Sequence, residues 1–120
     1  MRRGRAQQLG ELERLVMDVL WAADDGLTVR ELSGHFPQYA YTTMLTVCDR
    51  LLAKGLVGRE LEGRAHRFRP TASHEQYIAD LMEAALGSSG DRSAALLHFV
   101  DTMDLRDQQL LRDALRRKRP

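Results

Sequence analysis

The chain has one cysteine, three prolines and no apolar run near the roughly 20 residues a membrane-spanning helix requires. The single Cys48 excludes an intrachain disulfide and fits a reducing compartment. The start, "MRRGRAQQLGELERL", has a basic end but no apolar signal core. A cytoplasmic protein without a membrane partner is expected. There is no glycine-rich phosphate loop, serine elbow, HExxH or paired-cysteine spacing. The four histidines, His35, His66, His74 and His98, are scattered, and the carboxylates stand beside arginines on charged helical faces. These absences predict neither an enzyme nor a metal site, and no cofactor.

Lysine is scarce as well, at 2 residues against 16 arginines. A net charge of +1 does not announce a nucleic-acid binder, but the distribution of charge is uneven. Arg2, Arg3 and Arg5 form a basic arm, Arg59, Arg64, Arg67 and Arg69 share one short segment, and Arg116, Arg117, Lys118 and Arg119 end the chain. Each run taken singly is no more than a solvated surface. A length of 120 residues supports one domain, or a small domain with an appended arm, and only a modest core.

What is present is helical periodicity. Leu12, Leu15, Val16, Val19, Leu20 and Ala23 give one apolar face and predict a helix over Glu11 to Ala23. Met17 and Trp21 lie beside that face, with Trp21 as a packing anchor. "TVRE" is a capping box, Thr28 with Glu31, and opens a short helix over about Val29 to Phe36. Pro37 stops it. A third helix follows over about Tyr41 to Lys54, with Met44, Val47, Cys48, Leu51 and Leu52 inward and Gly55 in position for a C-terminal cap. The period then changes to two. Val57, Arg59 and Leu61 alternate with Gly58 and Glu60, "EG" makes a turn, and Ala65, Arg67 and Arg69 alternate with His66 and Phe68. His66 shares a face with Phe68 and is expected to be packed or half-buried. Further helices are predicted from Ser73, near Arg92 to Thr102, and from Asp104 to about Lys118.

Helix, short helix, helix, hairpin is the order of a winged helix-turn-helix, with the hairpin as the wing. The expected fold is therefore mainly α with a small β-hairpin wing, a winged helix over residues 1–71 followed by a helical arm over 72–120. The third helix carries Thr42, Thr43, Thr46, Asp49, Arg50 and Ala53 away from its apolar stripe. Threonine is a mediocre helix former, so its repetition needs a reason. In such folds the start of this helix meets base edges in the major groove, where short side chains allow close approach. Thr offers a hydroxyl and a methyl to bases. Tyr41 and Lys54 are candidates for phosphate contacts, the latter with its own helix carbonyls as the alternative. Arg64 at the turn is the leading wing contact. Arg67 and Arg69 are assigned to flanking backbone, and Asp49 to a pairing with Arg50, Arg14 or a wing arginine.

Three stretches, "LGELERLVMDVLW", "YTTMLTVCDRLLAKGLV" and "EGRAHRFRP", resemble the penicillinase-repressor family, the BlaI/MecI/CopY winged-helix repressors, over about residues 9 to 115. The resemblance implies a homodimer that binds a palindromic operator in double-stranded DNA and represses transcription. It implies interlocking C-terminal helices, with Leu81, Leu86, Leu96, Phe99, Val100, Leu111 and Leu115 as the dimer core. Copper-responsive members end in clustered cysteines, whereas this chain ends "RRKRP", which excludes a copper–thiolate sensor. β-Lactam-responsive members are cut between Asn and Phe in the C-terminal domain by a sensor-linked protease. The matching stretch is "LLHFVD", so His98–Phe99 is the candidate bond, with His98 in place of Asn. The alternative to a DNA reader is a protein-interaction module on the same scaffold, which the low net charge permits.

Overall fold

The computed structural model describes residues 9–118. The arginines at positions 2, 3, 5 and 119 lie outside that range. The elements run α1 (Glu11–Ala22), β1 (Leu27–Thr28), α2 (Val29–Gly34), α3 (Tyr41–Ala53), β2 (Val57–Glu62), β3 (Ala65–Pro70), α4 (His74–Gly87), α5 (Arg92–Asp101) and α6 (Leu105–Arg117). The chain divides into two compact units, the first ending at Leu81 and the second beginning at Met82.

In the first unit the core comprises Val16, Met17 and Leu20 of α1, Val29 and Leu32 of α2, Phe36, Met44, Val47, Cys48 and Leu51 of α3, and Val57 and Phe68 of the hairpin. Met17, expected beside the apolar face, is central to it. The buried stripe of α1 is rotated so that Met17 and Glu13 turn inward, while Leu12, Leu15 and Val19 pack at its margin. The predicted capping box forms, with the Glu31 amide donating to Thr28 Oγ1 at 3.1 Å and the Thr28 amide to Glu31 Oε1 at 2.9 Å. Burial pushes the Cys48 thiol up to about 11. It is therefore a packing residue, since reactivity requires the thiolate.

One strand escaped the sequence reading. Leu27–Thr28 pairs antiparallel with β3, Leu27 against Phe68 and Thr28 against Arg67, so the sheet order is β1-β3-β2. Two residues are too few to show a period. Gly26 makes this edge fit: its φ is 68°, and a Cβ there would lie 2.4 Å from the Phe68 carbonyl oxygen. Only glycine accepts both conditions. In the hairpin Glu62 pairs with Ala65, so the turn residues are Gly63 and Arg64 rather than Glu62 and Gly63. The positive φ of Gly63 on the first turn residue suits a two-residue loop.

The first unit continues past residue 71 because Trp21 holds the start of α4. Its Nε1 donates to the Ala72 carbonyl at 3.1 Å, and its ring stacks on His74 at 4.3 Å and tilts against Tyr77 at 5.3 Å. In the second unit, Asp91 caps α5 and Asp104 caps α6 through the amides of Ala94 and Asp107.

An ion pair ties the first turn of α1 to the end of α3. Lys54 Nζ donates to Glu13 Oε1 at 2.7 Å, and the Gly10 amide donates to the same oxygen at 2.9 Å. The Lys54 hydrogen bond holds the buried Glu13 carboxyl below the ordinary glutamate value of 4.5, against the opposing effect of burial. A lowered folded-state pKa means that this stabilisation is complete above the unfolded value and is lost as pH falls through the lowered one. Glu13→Gln is expected to cost about 1–3 kcal/mol at pH 7 and progressively less below about pH 4.5. Urea unfolding of both proteins at pH 7 and pH 3 checks this; a penalty equal at the two pH values would contradict a charge-based role.

Candidate nucleic-acid interface

The outer surface of α3 follows from where its inner stripe is pinned. With Met44, Val47, Cys48 and Leu51 buried, the 3.6-residue repeat points Thr42, Thr46, Asp49 and Ala53 directly outward, and all four are exposed. Thr43 and Arg50 fall on one flank. They line a cleft with Gly10, Glu11, Leu12 and Glu13 at the start of α1, and Thr43 is half-buried there. Tyr41 and Leu45 fall on the other flank and line a crevice toward the wing together with Arg59, Arg64 and His66. The three threonines are thus not equivalent. Thr42 and Thr46 occupy the ridge, while Thr43 belongs to the side facing α1. The Thr46 hydroxyl donates to the Thr42 carbonyl at 3.0 Å, which leaves its oxygen as an acceptor. α3 has no side-chain cap, and while the Thr43 amide donates to the Ala40 carbonyl at 3.0 Å, the Tyr41 and Thr42 amides remain available to an anion.

The wing has two chemically different faces. Register places Arg59 opposite Phe68 and Leu61 opposite His66 on one face, and Glu60 opposite Arg67 and Gly58 opposite Arg69 on the other. The second face is an internal ion-pair network. Arg67 forks onto Glu62, with Nη2 to Oε2 at 2.8 Å and Nε to Oε1 at 3.2 Å. Its Nη1 also donates to the Gly26 carbonyl at 3.0 Å and to Glu31 Oε1 at 3.2 Å. Arg69 pairs with Asp25 at 2.9 Å and with Glu60. Arg67 holds the Glu62 carboxyl, and Arg69 the Asp25 carboxyl, below the usual carboxylate range.

This geometry gives some of the expected contact residues partners within the chain and overturns the expected surroundings of Asp49 and His66. Arg67, assigned to DNA backbone, is occupied by the network, and its side chain is only 15% exposed. Arg69 is occupied in the same way. Lys54 donates to Glu13 rather than to its own helix carbonyls. Asp49 forms no ion pair with Arg14, Arg50 or a wing arginine, and Arg14 pairs instead with Asp18. His66 is exposed, because the hairpin extends beyond the core and only Phe68 and Val57 at its base are covered. Conversely, Arg30 of α2 and Arg59 of β2 join Arg64 around the crevice without ion pairs among the described residues. Arg59 was visible in the sequence only as one of four wing arginines. Alternation separates it from Arg67 and Arg69, but which face is free depends on the acidic partners.

A helix with a pinned inner stripe, a ridge of short polar side chains and unpaired arginines on either side, followed by a hairpin, defines a winged helix-turn-helix of the DNA-binding class. Comparison with known proteins agrees and narrows the class. The penicillinase repressor family model matches residues 9–117. Transcriptional regulator BlaI of Mycobacterium tuberculosis is 41% identical over 114 residues, which span 90% of this chain and 83% of that protein. The DNA-binding domain of the repressor BlaI superposes with a TM-score of 0.54 at 24% identity, covering 63% of this chain and 95% of that domain. A MarR family protein from Bacillus stearothermophilus superposes with a TM-score of 0.52 at 22% identity over 92% of this chain and 73% of its own. The chain belongs to the penicillinase repressor family.

The division of the arginines is measurable through counterion release. Arg64→Ala is expected to reduce the slope of log K against log salt by about 1. Arg67→Ala is expected to weaken binding and lower the melting temperature while leaving the slope unchanged. Equal slope changes for the two variants, in fluorescence anisotropy titrations across a salt series, would return Arg67 to the DNA contacts.

Proposed function

We propose that the protein is a dimeric, sequence-specific DNA-binding repressor of a palindromic operator, working in the cytoplasm. The observation that carries this reading is the outer surface of α3. Thr42 and Thr46 form a ridge narrow enough for the major groove, with Arg50 on one side and Arg59 and Arg64 on the other. Tyr41 stands at the start of the helix, where a phosphate would lie. Family membership supports the same reading, since the relatives are transcriptional regulators. In the proposed complex the ridge reads bases and the arginines fix register on the backbone. Thr43 contributes from the α1 flank.

Dimerisation is proposed through the second unit. No residue of α5 or α6 is buried, and their apolar side chains are left open: Leu96 and Phe99 are 45% and 46% exposed, Val100 41%, Leu111 36% and Leu115 63%. Leu81 and Leu86 of α4 are half-buried. So many open apolar side chains on short helices indicate a surface that a second copy covers. Two linked winged helices then bind half-sites one helical turn or a multiple apart, and linkage raises affinity by orders of magnitude. Phe99 is placed in that interface. The adjacent His98–Phe99 bond is the proposed cut for a sensor-linked protease, since cleavage there separates α6 from the rest of the interface.

Footprinting on the DNA upstream of its own gene should protect a palindrome. Phe99→Asp should give monomers by light scattering, with operator affinity reduced at least about a hundredfold. A Phe99→Asp protein that remains a dimer, or a wild-type protein that protects no symmetric site, would defeat the corresponding part of the proposal.

A further inference from the structure

We infer that Leu45 is a specificity-determining residue that reads a thymine methyl group in each half-site. The inference rests on the DNA-reading proposal above and names a contact within it.

Leu45 stands apart from the apolar side chains around it in sequence. Met44, Val47, Cys48 and Leu51 are buried to 4% exposure or less, whereas Leu45 is 38% exposed. It is not part of the core cluster or of the half-buried shell packed against that core. A lone exposed leucine is ordinary on a protein surface. Its position gives this one meaning. It lies in the second turn of α3, between Tyr41 one turn before and Asp49 one turn after, beside the Thr42–Thr46 ridge and facing the crevice that Arg59 and Arg64 line. The first half of such a helix is the part that approaches base edges.

Chemistry then selects the partner. The major-groove edge of DNA carries hydrogen-bond donors and acceptors and a single apolar group, the C5 methyl of thymine. An aliphatic side chain has nothing to offer the other groups and would leave them desolvated and unpaired. The short side chains of Thr42 and Thr46 let the backbone come close, so the longer Leu45 side chain reaches the edge from the flank. Thr46 presents an oxygen acceptor to a neighbouring donor. The pair Leu45–Thr46 therefore predicts a thymine beside a base that donates in the major groove, adenine or cytosine.

Deoxyuridine tests this, because it is thymidine without the methyl. A duplex is selected from random-sequence DNA by the full-length wild-type protein, and its thymines are replaced by deoxyuridine one symmetric pair at a time. At one pair, wild-type affinity should fall about fourfold per half-site, the effect of one buried methyl. Leu45→Ala should bind the thymine and uracil duplexes alike there, with an unchanged melting temperature. Thr46→Ala should keep the methyl discrimination. Wild-type protein indifferent to uracil at every position would overturn the inference while leaving the DNA-reading proposal intact. So would a Leu45→Ala variant that retains the discrimination, whether or not its stability drops, because the methyl would then be read by another residue. Failure to select any sequence would overturn both.

Discussion

The burial of one stripe of α3 against α1 and α2 is the constraint on which the remaining structure depends. Met44 and Leu51 are wholly inaccessible, and Val16, Met17, Leu20 and Leu32 surround them. A helix so fixed has no rotational freedom, because turning it by one residue would expose that stripe and bury Asp49 or Arg50. The direction in which Thr42, Leu45 and Thr46 point is thus a consequence of core packing. The buried Glu13–Lys54 pair adds a polar lock at the end of the same helix. Losing Lys54 would leave the buried Glu13 carboxylate without its hydrogen-bonded counter-charge.

A second layer of organisation comes from sorting charge across the wing. Four arginines occur within eleven residues of hairpin, and period-two geometry divides them. Arg67 and Arg69 turn toward Asp25, Glu31, Glu60 and Glu62 and join the hairpin to β1 and α2. Arg59 and Arg64 form no ion pair among the described residues, on the side toward α3 and at the tip. Four of the chain's 17 acidic residues serve to fix the wing. An arginine in a fork with a carboxylate defines orientation better than a lysine would, which suits a wing that must stay in register with α3.

The second unit follows a different rule. Its two complete helices, α5 and α6, are well capped, yet they bury nothing of their own, and Leu105, Leu110 and Leu97 add to the apolar side chains left open. Good caps with an uncovered apolar surface leave these helices without a buried core of their own. Among the described residues no helix is long and apolar enough to cross a membrane, so the exposed side chains are not those of a membrane span.

Local pattern alone determined much of this protein. The three helices of the winged domain, the Thr28–Glu31 box and the hairpin are set by periodicity and by neighbours three or four residues apart, and they lie close to where the residues predicted. The family was legible for the same reason, since its motifs sit in those elements. What needed the tertiary structure was every feature decided by partners distant along the chain. β1 exists because β3 pairs with it, and Gly26 permits the approach. Lys54 meets Glu13 across 41 residues, and Arg67 meets Glu31 across 36. Thr43, read as outward, is half-buried on the flank that α1 lines, while Leu45, which the pattern left without a role, is exposed on the flank toward the wing. Alternation shows that two residues share a face, but only the packed fold shows which face meets acid, which meets core and which meets solvent. That choice is made by long-range contacts whose energies are absent from any local window of the chain.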